Sequence, residues 1–221
     1  MTKGGGLVCS PLYTYMNKVY ISIPTKSGQV YFELMIRLLG WSHQSAIPVM
    51  INFEAFQAPI DHCRNLIVKK FLATDCTHLL MIDDDIVPPV ETLERLLFHD
   101  KEIVGAVCPV IGPDKNNKLV VTYNAYMTDE HGKMVQHVWP NSSELEEVTI
   151  LGTGCIMIKR EVLKNMKTIA PFLTQYNKQT GIKETGEDVA FCRLANDLYI
   201  DIYADFRLKC KHMKSCNLLE L

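Results

Sequence analysis

The run HLLMIDDDIVPP, His78 to Pro89, decides the fold. Five apolar or buried-type residues, His78 to Ile82, form a continuous stretch with no polar alternation, the pattern of a strand covered on both faces. It stops abruptly at three carboxylates, Asp83, Asp84 and Asp85, before Pro88 and Pro89 open a helical pattern carried by Val90, Leu93, Leu96 and Leu97. The same order occurs upstream. VYISIPT (19–25) is followed by a Lys-Ser-Gly loop and by apolar positions Tyr31, Leu34, Met35, Leu38 and Leu39 within 30–41. Residues 48–53 read as a second strand, and Ile60, Cys63, Ile67 and Phe71 return at helical spacing after Pro59. A fourth strand is expected over 102–108. Strand-helix alternation of this kind predicts right-handed crossovers and a mainly parallel sheet covered on both faces, with ligands at the carboxyl ends of its strands. The Asp run sits at such an end.

Beyond Pro109 the pattern changes. Residues 119–123 and 125–139 read as antiparallel strands joined through Asp129 to Gly132, and residues 148–158 as one strand containing Gly152-Thr153-Gly154. A helix over 187–198 and a strand over 199–204 precede a basic segment, Arg207 to Lys214, read as a tail. The expected organisation is a leader over 1–18, one domain over 19–213 and a short tail over 214–221.

With 221 residues, 48% hydrophobic and 22% charged, the chain is long enough to bury a full core. A net charge of −2 supplies no global field for nucleic acid or anionic membrane, so any polyanion contact must be local. Charged residues interrupt every hydrophobic stretch before membrane-spanning length, and the glycine-containing first ten residues lack the apolar core of a secretory signal. Membrane insertion is therefore not expected, and a cytoplasmic setting is. The eight cysteines are scattered with no Cys-x-x-Cys pair, which predicts reduced, mostly buried thiols.

Three adjacent carboxylates after a buried strand repel one another unless a cation or a set of donors offsets them. Hard oxygen ligands suit Mg2+ or Mn2+, and Mg2+ is commonly held by one or two carboxylates plus the phosphates of a substrate. Alternation along an extended run would turn Asp83 and Asp85 to one pocket and Asp84 elsewhere. A solvated acidic loop capping the next helix is the competing reading. Gly152 and Gly154 permit close approach of another group, or simply a bulge. Glu187-Asp188 fits a helix start equally well as a catalytic pair.

Taken together, ISIPT (21–25), DHCRN (61–65), LLMIDDDIVPP (79–89), GTGCIMIKREVL (152–163), GEDVAFC (186–192) and a downstream His212 resemble the GT-A glycosyltransferases, closest to the large family two type. The resemblance covers about residues 19–213. It implies a Rossmann-like three-layer α/β sandwich with a small antiparallel acceptor-side region. Function would be transfer of a sugar, with inversion, from a nucleotide-sugar donor to an acceptor hydroxyl, with Mn2+ or Mg2+ as cofactor. By the same resemblance Pro24 and Thr25 line the nucleotide pocket and Arg64 lies near the base or phosphates. Asp83 and Asp84 serve the donor, Asp83 at its ribose. Asp85 ligates the metal with His212, Asp83 adding a second carboxylate. Lys209 or Lys211 meets the departing diphosphate, Gly152, Thr153 and Gly154 border the acceptor and donor sugar, and Asp188 is the base, with Glu187 as its alternative or as an acceptor-orienting group. A uridine diphosphate sugar is the expected donor. Saccharide, protein, lipid head group and a hydroxylated base in DNA all stay open as acceptors, the last because of the basic segment. Two rivals also stay open: a nucleotidyltransferase, for which residues 23–28 are a thin phosphate loop, and a non-catalytic nucleotide- or metal-binding module.

Overall fold

The computed structural model describes residues 17–113, 118–128, 134–135 and 144–213. Its centre is a seven-stranded sheet made of β1 (Val19–Thr25), β2 (Val49–Ala55), β3 (His78–Ile82), β4 (Ile103–Val107), β5 (Leu145–Val148), β6 (Cys155–Lys159) and β7 (Ile202–Lys209). Their order across the sheet is β5-β7-β4-β6-β3-β1-β2. β1 runs parallel to β2 and β3, and β7 parallel to β4. β6 lies antiparallel between β3 and β4, and β5 antiparallel along β7.

Helices α1 (Phe32–Gln44), α2 (Ile60–Leu72), α3 (Thr92–Phe98), α4 (Arg160–Asn165) and α5 (Glu187–Asp197) cover the sheet. The alternation of side chains along each strand divides the core into two. In β3, Leu80 and Ile82 join Leu34, Leu38 and Trp41 of α1 and Leu93, Leu96 and Leu97 of α3. Leu79 and Met81 face the other way, to Cys63, Ile67 and Phe71 of α2, Val162 of α4 and Phe191 of α5. On that second side Phe172 stacks on Phe191 at 4.5 Å between ring centroids. The result is three layers, an α/β sandwich with a mainly parallel sheet, as the sequence predicts.

Three expectations change. The strand expected over 148–158 is three pieces: β5 and the short strand Ile150–Leu151 part at Thr149, where they pair with different strands, and Gly152-Thr153-Gly154 separates Ile150–Leu151 from β6. The basic segment is not a tail: β7 runs on through Phe206 and Leu208 to Lys209, and Lys211–His212 pairs antiparallel with Ile86–Val87. The helix expected to open at the two prolines begins later, at Thr92. The turn expected at Asp129 to Gly132 lies outside the described residues, as do the leader up to residue 16 and the tail from 214. Cys63, Cys76, Cys108, Cys155, Cys192 and Cys210 are buried and unbridged. Among the described residues no helix is long and apolar enough to cross a membrane.

The far side of the sheet is tied by Asp205 of β7. Fully buried, it accepts hydrogen bonds from Arg207 Nε (2.9 Å) and Nη2 (3.0 Å) and pairs with His99 Nε2 at 2.7 Å, fastening the end of α3 to the sheet. Burial alone would raise the Asp205 pKa, but the bonds from His99 and Arg207 outweigh it and hold it well below the usual carboxylate range. A depressed folded-state pKa gives stability that is present above the unfolded value of about 3.9 and lost as pH falls through the folded one. Asp205→Asn should therefore be less stable at pH 7 and lose a smaller further increment between about pH 4 and 2 than wild type, as read from urea midpoints by circular dichroism.

Candidate functional site

β1 and β3 end side by side in the sheet, and their following loops enclose a cleft of about 500 Å³ lined by Ser27, Gln29, Val30, Tyr31, Phe32, Asp84, Asp85 and Met213. Its acidic wall is built by a tight turn. Once β3 stops at Ile82, Ile86 N–H donates to Asp83 O at 3.0 Å, closing Asp83 to Ile86 into a reverse turn. The two-residue alternation of a strand no longer applies there, so the carboxylates divide differently from the expectation. Asp84 and Asp85 share the cleft, and Asp83 turns to Arg64, whose Nη2 donates to Asp83 Oδ1 at 2.9 Å. The turn is anchored on three sides: Asp83 N–H donates to Gly154 O (3.0 Å), Tyr31 N–H to Asp84 O (3.3 Å) and Met213 N–H to Asp85 O (2.8 Å).

Thr25, buried at the end of β1 after Pro24, places its hydroxyl between the Gln29 carbonyl at 2.9 Å and the Asp84 carboxylate. Burial, and then the charges of Asp85 and Asp83, raise the Asp84 pKa above the ordinary value against the opposing hydrogen bond from Thr25.

His212 carries a decisive detail. Its Nδ1 lies 2.7 Å from Pro109 O and its Nε2 lies 3.1 Å from Asp85 Oδ2. A carbonyl only accepts, so Nδ1 bears the proton. In the neutral ring Nε2 then aims a lone pair at a carboxylate oxygen, an arrangement that needs either a second proton or a shared cation. A histidine whose other N–H is donated to a backbone carbonyl is the ordinary state of a metal ligand. Asp85 and His212 are thus placed as a pair, while Asp83, expected as a further ligand, has its Oδ1 on Arg64. Among the described residues no group of three or more His, Cys, Asp or Glu side chains is gathered to hold an ion. Two protein ligands fit an ion that takes the rest of its shell from substrate oxygens and water.

Arg64 is 4% exposed and spends Nη2 on Asp83 and Nη1 on Glu187 Oε1. Burial disfavours its charge, but Asp83 and Glu187 more than offset that and raise its pKa. It therefore acts as a clamp between Asp83 at the end of β3 and Glu187 at the start of α5, and it is not among the residues lining the cleft. Its Nε is buried with no protein partner. Glu187 begins α5 as a buried carboxylate, whereas Asp188 is half-buried and accepts from Val189 N–H at Oδ1 (2.8 Å). Tyr126, whose hydroxyl pKa is raised by burial and then by the Asp188 charge, stands near that carboxylate.

Gly152 and Gly154 both have packing reasons. A Cβ on Gly152 would stand 2.8 Å from Asn124 Nδ2, and one on Gly154 3.0 Å from Cys108 Sγ. Thr153 between them is buried and its hydroxyl has no protein partner. Asn124 is the residue that sequence reasoning missed. Its side chain accepts from Cys108 N–H (2.8 Å) and donates to Gly152 O (3.1 Å), and its backbone carbonyl takes Gly152 N–H at 2.7 Å. The available signal was its place as the single residue between Leu119–Tyr123 and Ala125–Thr128. Lys211 is paired with Glu33 at 2.7 Å at the surface, and Lys209 lies over the Tyr123 ring.

The architecture is that of the GT-A fold. A solved structure of GalNAc-T7 with UDP, GalNAc and Mn2+ matches with a TM-score of 0.59 and 11% identity over 90% of this chain. This chain spans 44% of that one. Residues 1–349 of S. aureus TarS match at 0.49 and 13% identity, covering 89% of this chain and 60% of that one. The inositol-1-phosphate CTP transferase of T. maritima matches at 0.47 and 10% identity, covering 93% and 94%. These last two are too distant to argue from. No protein-family profile and no curated protein sequence matches the chain.

Removing one member of a buried ion pair leaves an uncompensated charge, which costs about 3–5 kcal/mol. Arg64→Met should lose stability of that order in urea denaturation. A loss below about 1 kcal/mol would show that Asp83 and Glu187 do not depend on the guanidinium.

Proposed function

We propose that the chain is a metal-dependent glycosyltransferase that moves a sugar from a nucleotide-sugar donor, a UDP-sugar for preference, to an acceptor hydroxyl with inversion. The observation that carries this reading is the Asp85-His212 pair beside the cleft, with Nδ1 of His212 anchored on Pro109 O and Nε2 facing a carboxylate. GalNAc-T7, whose fold this chain shares, was solved with UDP, GalNAc and Mn2+.

Asp85 and His212 are the residues that would hold Mn2+ or Mg2+. Bound there, the ion supplies positive charge opposite the developing negative charge of the nucleoside diphosphate. Ser27, Gln29 and Thr25 give the cleft its polar lining and edge at the end of β1. Asp84, a cleft-lining carboxylate beside the Thr25 hydroxyl, suits a position against donor hydroxyls, and Asp83 keeps the ribose contact that the family resemblance implies. Lys211 gives up only a surface ion pair if it turns to the diphosphate, an exchange of about 0–1 kcal/mol.

Asp188 is the base in this scheme. The acceptor oxygen attacks the anomeric carbon, its proton passes to the Asp188 carboxylate, and the bond from that carbon to the phosphate oxygen breaks, its electrons leaving with the diphosphate. Glu187, locked on Arg64, fixes the first turn of α5 and with it the position of Asp188. Gly152, Thr153 and Gly154, packed against Asp83 through the Gly154 carbonyl, border the acceptor side. Saccharide, protein and hydroxylated DNA base are the acceptor classes to be screened.

The assay is UDP release from UDP-sugars in Mn2+ across those acceptors, set against pyrophosphate release from nucleoside triphosphates with sugar phosphates. UDP release supports transfer, and pyrophosphate release supports a nucleotidyltransferase instead. Asp85→Ala should lower turnover roughly 10²–10³-fold, the size of a lost preorganised electrostatic group. An undiminished rate would remove the metal assignment. Asp188→Asn should keep donor affinity within about twofold while transfer falls by roughly 10²–10⁴. Full activity in that variant would show that the base lies elsewhere.

A further inference from the structure

Among the described residues four that are not glycine have a left-handed backbone: Phe56 (φ 62°), Asp100 (φ 51°), Lys167 (φ 50°) and Tyr199 (φ 57°). Three of them have a local explanation. Asp100, Lys167 and Tyr199 lie just past the ends of α3, α4 and α5, where a left-handed residue closes the final turn and lets its N–H reach an orphaned carbonyl. The Asp100 N–H accordingly meets Leu97 O at 3.0 Å and the Tyr199 N–H meets Asn196 O at 2.9 Å. Phe56 follows a strand, β2, and no helix end accounts for it. For a bulky aromatic residue this conformation is a true outlier, and such strain persists only where its surroundings enforce it.

The ring shows what the strain achieves. Phe56 N–H still donates to Thr25 O at 2.9 Å, continuing the β1-β2 pairing by one rung, while its side chain lies against Gly28. A Cβ on Gly28 would stand 2.5 Å from Cζ of the ring, and Gly28 itself has φ 75°. Only glycine leaves this space and adopts this backbone without cost. Even so, Phe56 is 75% exposed. A strained aromatic side chain left largely in water buries too little surface to repay the strain, so folding does not explain it.

Its neighbours belong to the cleft. Ser27 and Gln29, on either side of Gly28, line it together with Asp84 and Asp85, and the Thr25 hydroxyl reaches Asp84. We propose that Phe56 is a donor-positioning residue, an aromatic platform on which the base of the nucleotide stacks while Asp85 and His212 serve the diphosphate end. This rests on the reading of the cleft as a nucleotide-sugar site. Every base has a π-face, so the platform supplies affinity while discriminating little among bases.

The test uses the full chain in Mn2+, by isothermal titration with UDP, GDP, CDP, ADP and pyrophosphate, and by thermal melts without ligand, for wild type, Phe56→Gly and Phe56→Trp. For the tightest nucleotide, Phe56→Gly should weaken binding roughly five- to hundredfold, and Phe56→Trp should keep it within about threefold. Pyrophosphate binding should be equal in all three. Because glycine relieves the strain, the ligand-free melt of Phe56→Gly should lie at or above that of wild type. Undiminished nucleotide affinity in Phe56→Gly overturns the platform alone and leaves the donor site standing. A lowered ligand-free melt, or an equal loss of pyrophosphate, also overturns it, by showing that the ring supports the loop. Should wild type bind none of the five ligands, the donor-site reading and the platform fail together.

Discussion

Arg64 is the constraint on which the site depends. Its guanidinium joins the end of β3, through Asp83, to the start of α5, through Glu187, and it does so from α2, so three elements distant in sequence meet at one buried cation. The electrostatics are unforgiving in such a place: burial penalises the Arg64 charge, and the adjacent Asp83 and Glu187 carboxylates offset it. This is why the Asp run tolerates its own repulsion. Asp83 is paired with Arg64, which leaves Asp84 and Asp85 to face the cleft.

Much of this was legible in the sequence, and the reasons are specific. β3 has the bounds read from its unbroken apolar run, and β1 is closed at Thr25 as its β-branched pattern predicts. Both are central strands, where burial on two faces leaves no ambiguity of period. The helices α1, α2 and α5 follow from apolar spacing within a residue or three. Harder was β6: an antiparallel strand inserted between β3 and β4 carries the same continuous apolar signature as a parallel one, and its direction depends on the long connection over residues 108–154.

The basic segment shows a different failure. Phe206, Leu208 and Cys210 are buried while Arg207, Lys209 and Lys211 point outward, a period-two pattern that was present in the letters but was outweighed by the density of positive charge. Reading charge before period turned a strand into a tail. That strand is what delivers His212 to Asp85, so the adjacency of the two side chains is not readable from the local pattern. The expected facing of Asp83 and Asp85 into one pocket gives way to Asp84 and Asp85 for a geometric reason: alternation is a property of strands, and the residues in question lie in the turn after one.

Strain and satisfaction divide along the same line. Away from the cleft, buried charges are paired and left-handed residues close helices, as with Asp205 between His99 and Arg207, although Thr92 Oγ1 in α3 is also buried without a protein partner. Toward it, exceptions gather: Arg64 Nε and Thr153 Oγ1 are buried without protein partners, Nε2 of His212 faces a carboxylate, and Phe56 is both strained and exposed. A fold selected only for stability would have little reason to keep a strained and exposed Phe56, since relieving such strain commonly stabilises. These exceptions lie toward the carboxyl ends of β1, β2 and β3, the region where ligands bind in open α/β sheets and where a ligand held only by the folded chain adds to its stability.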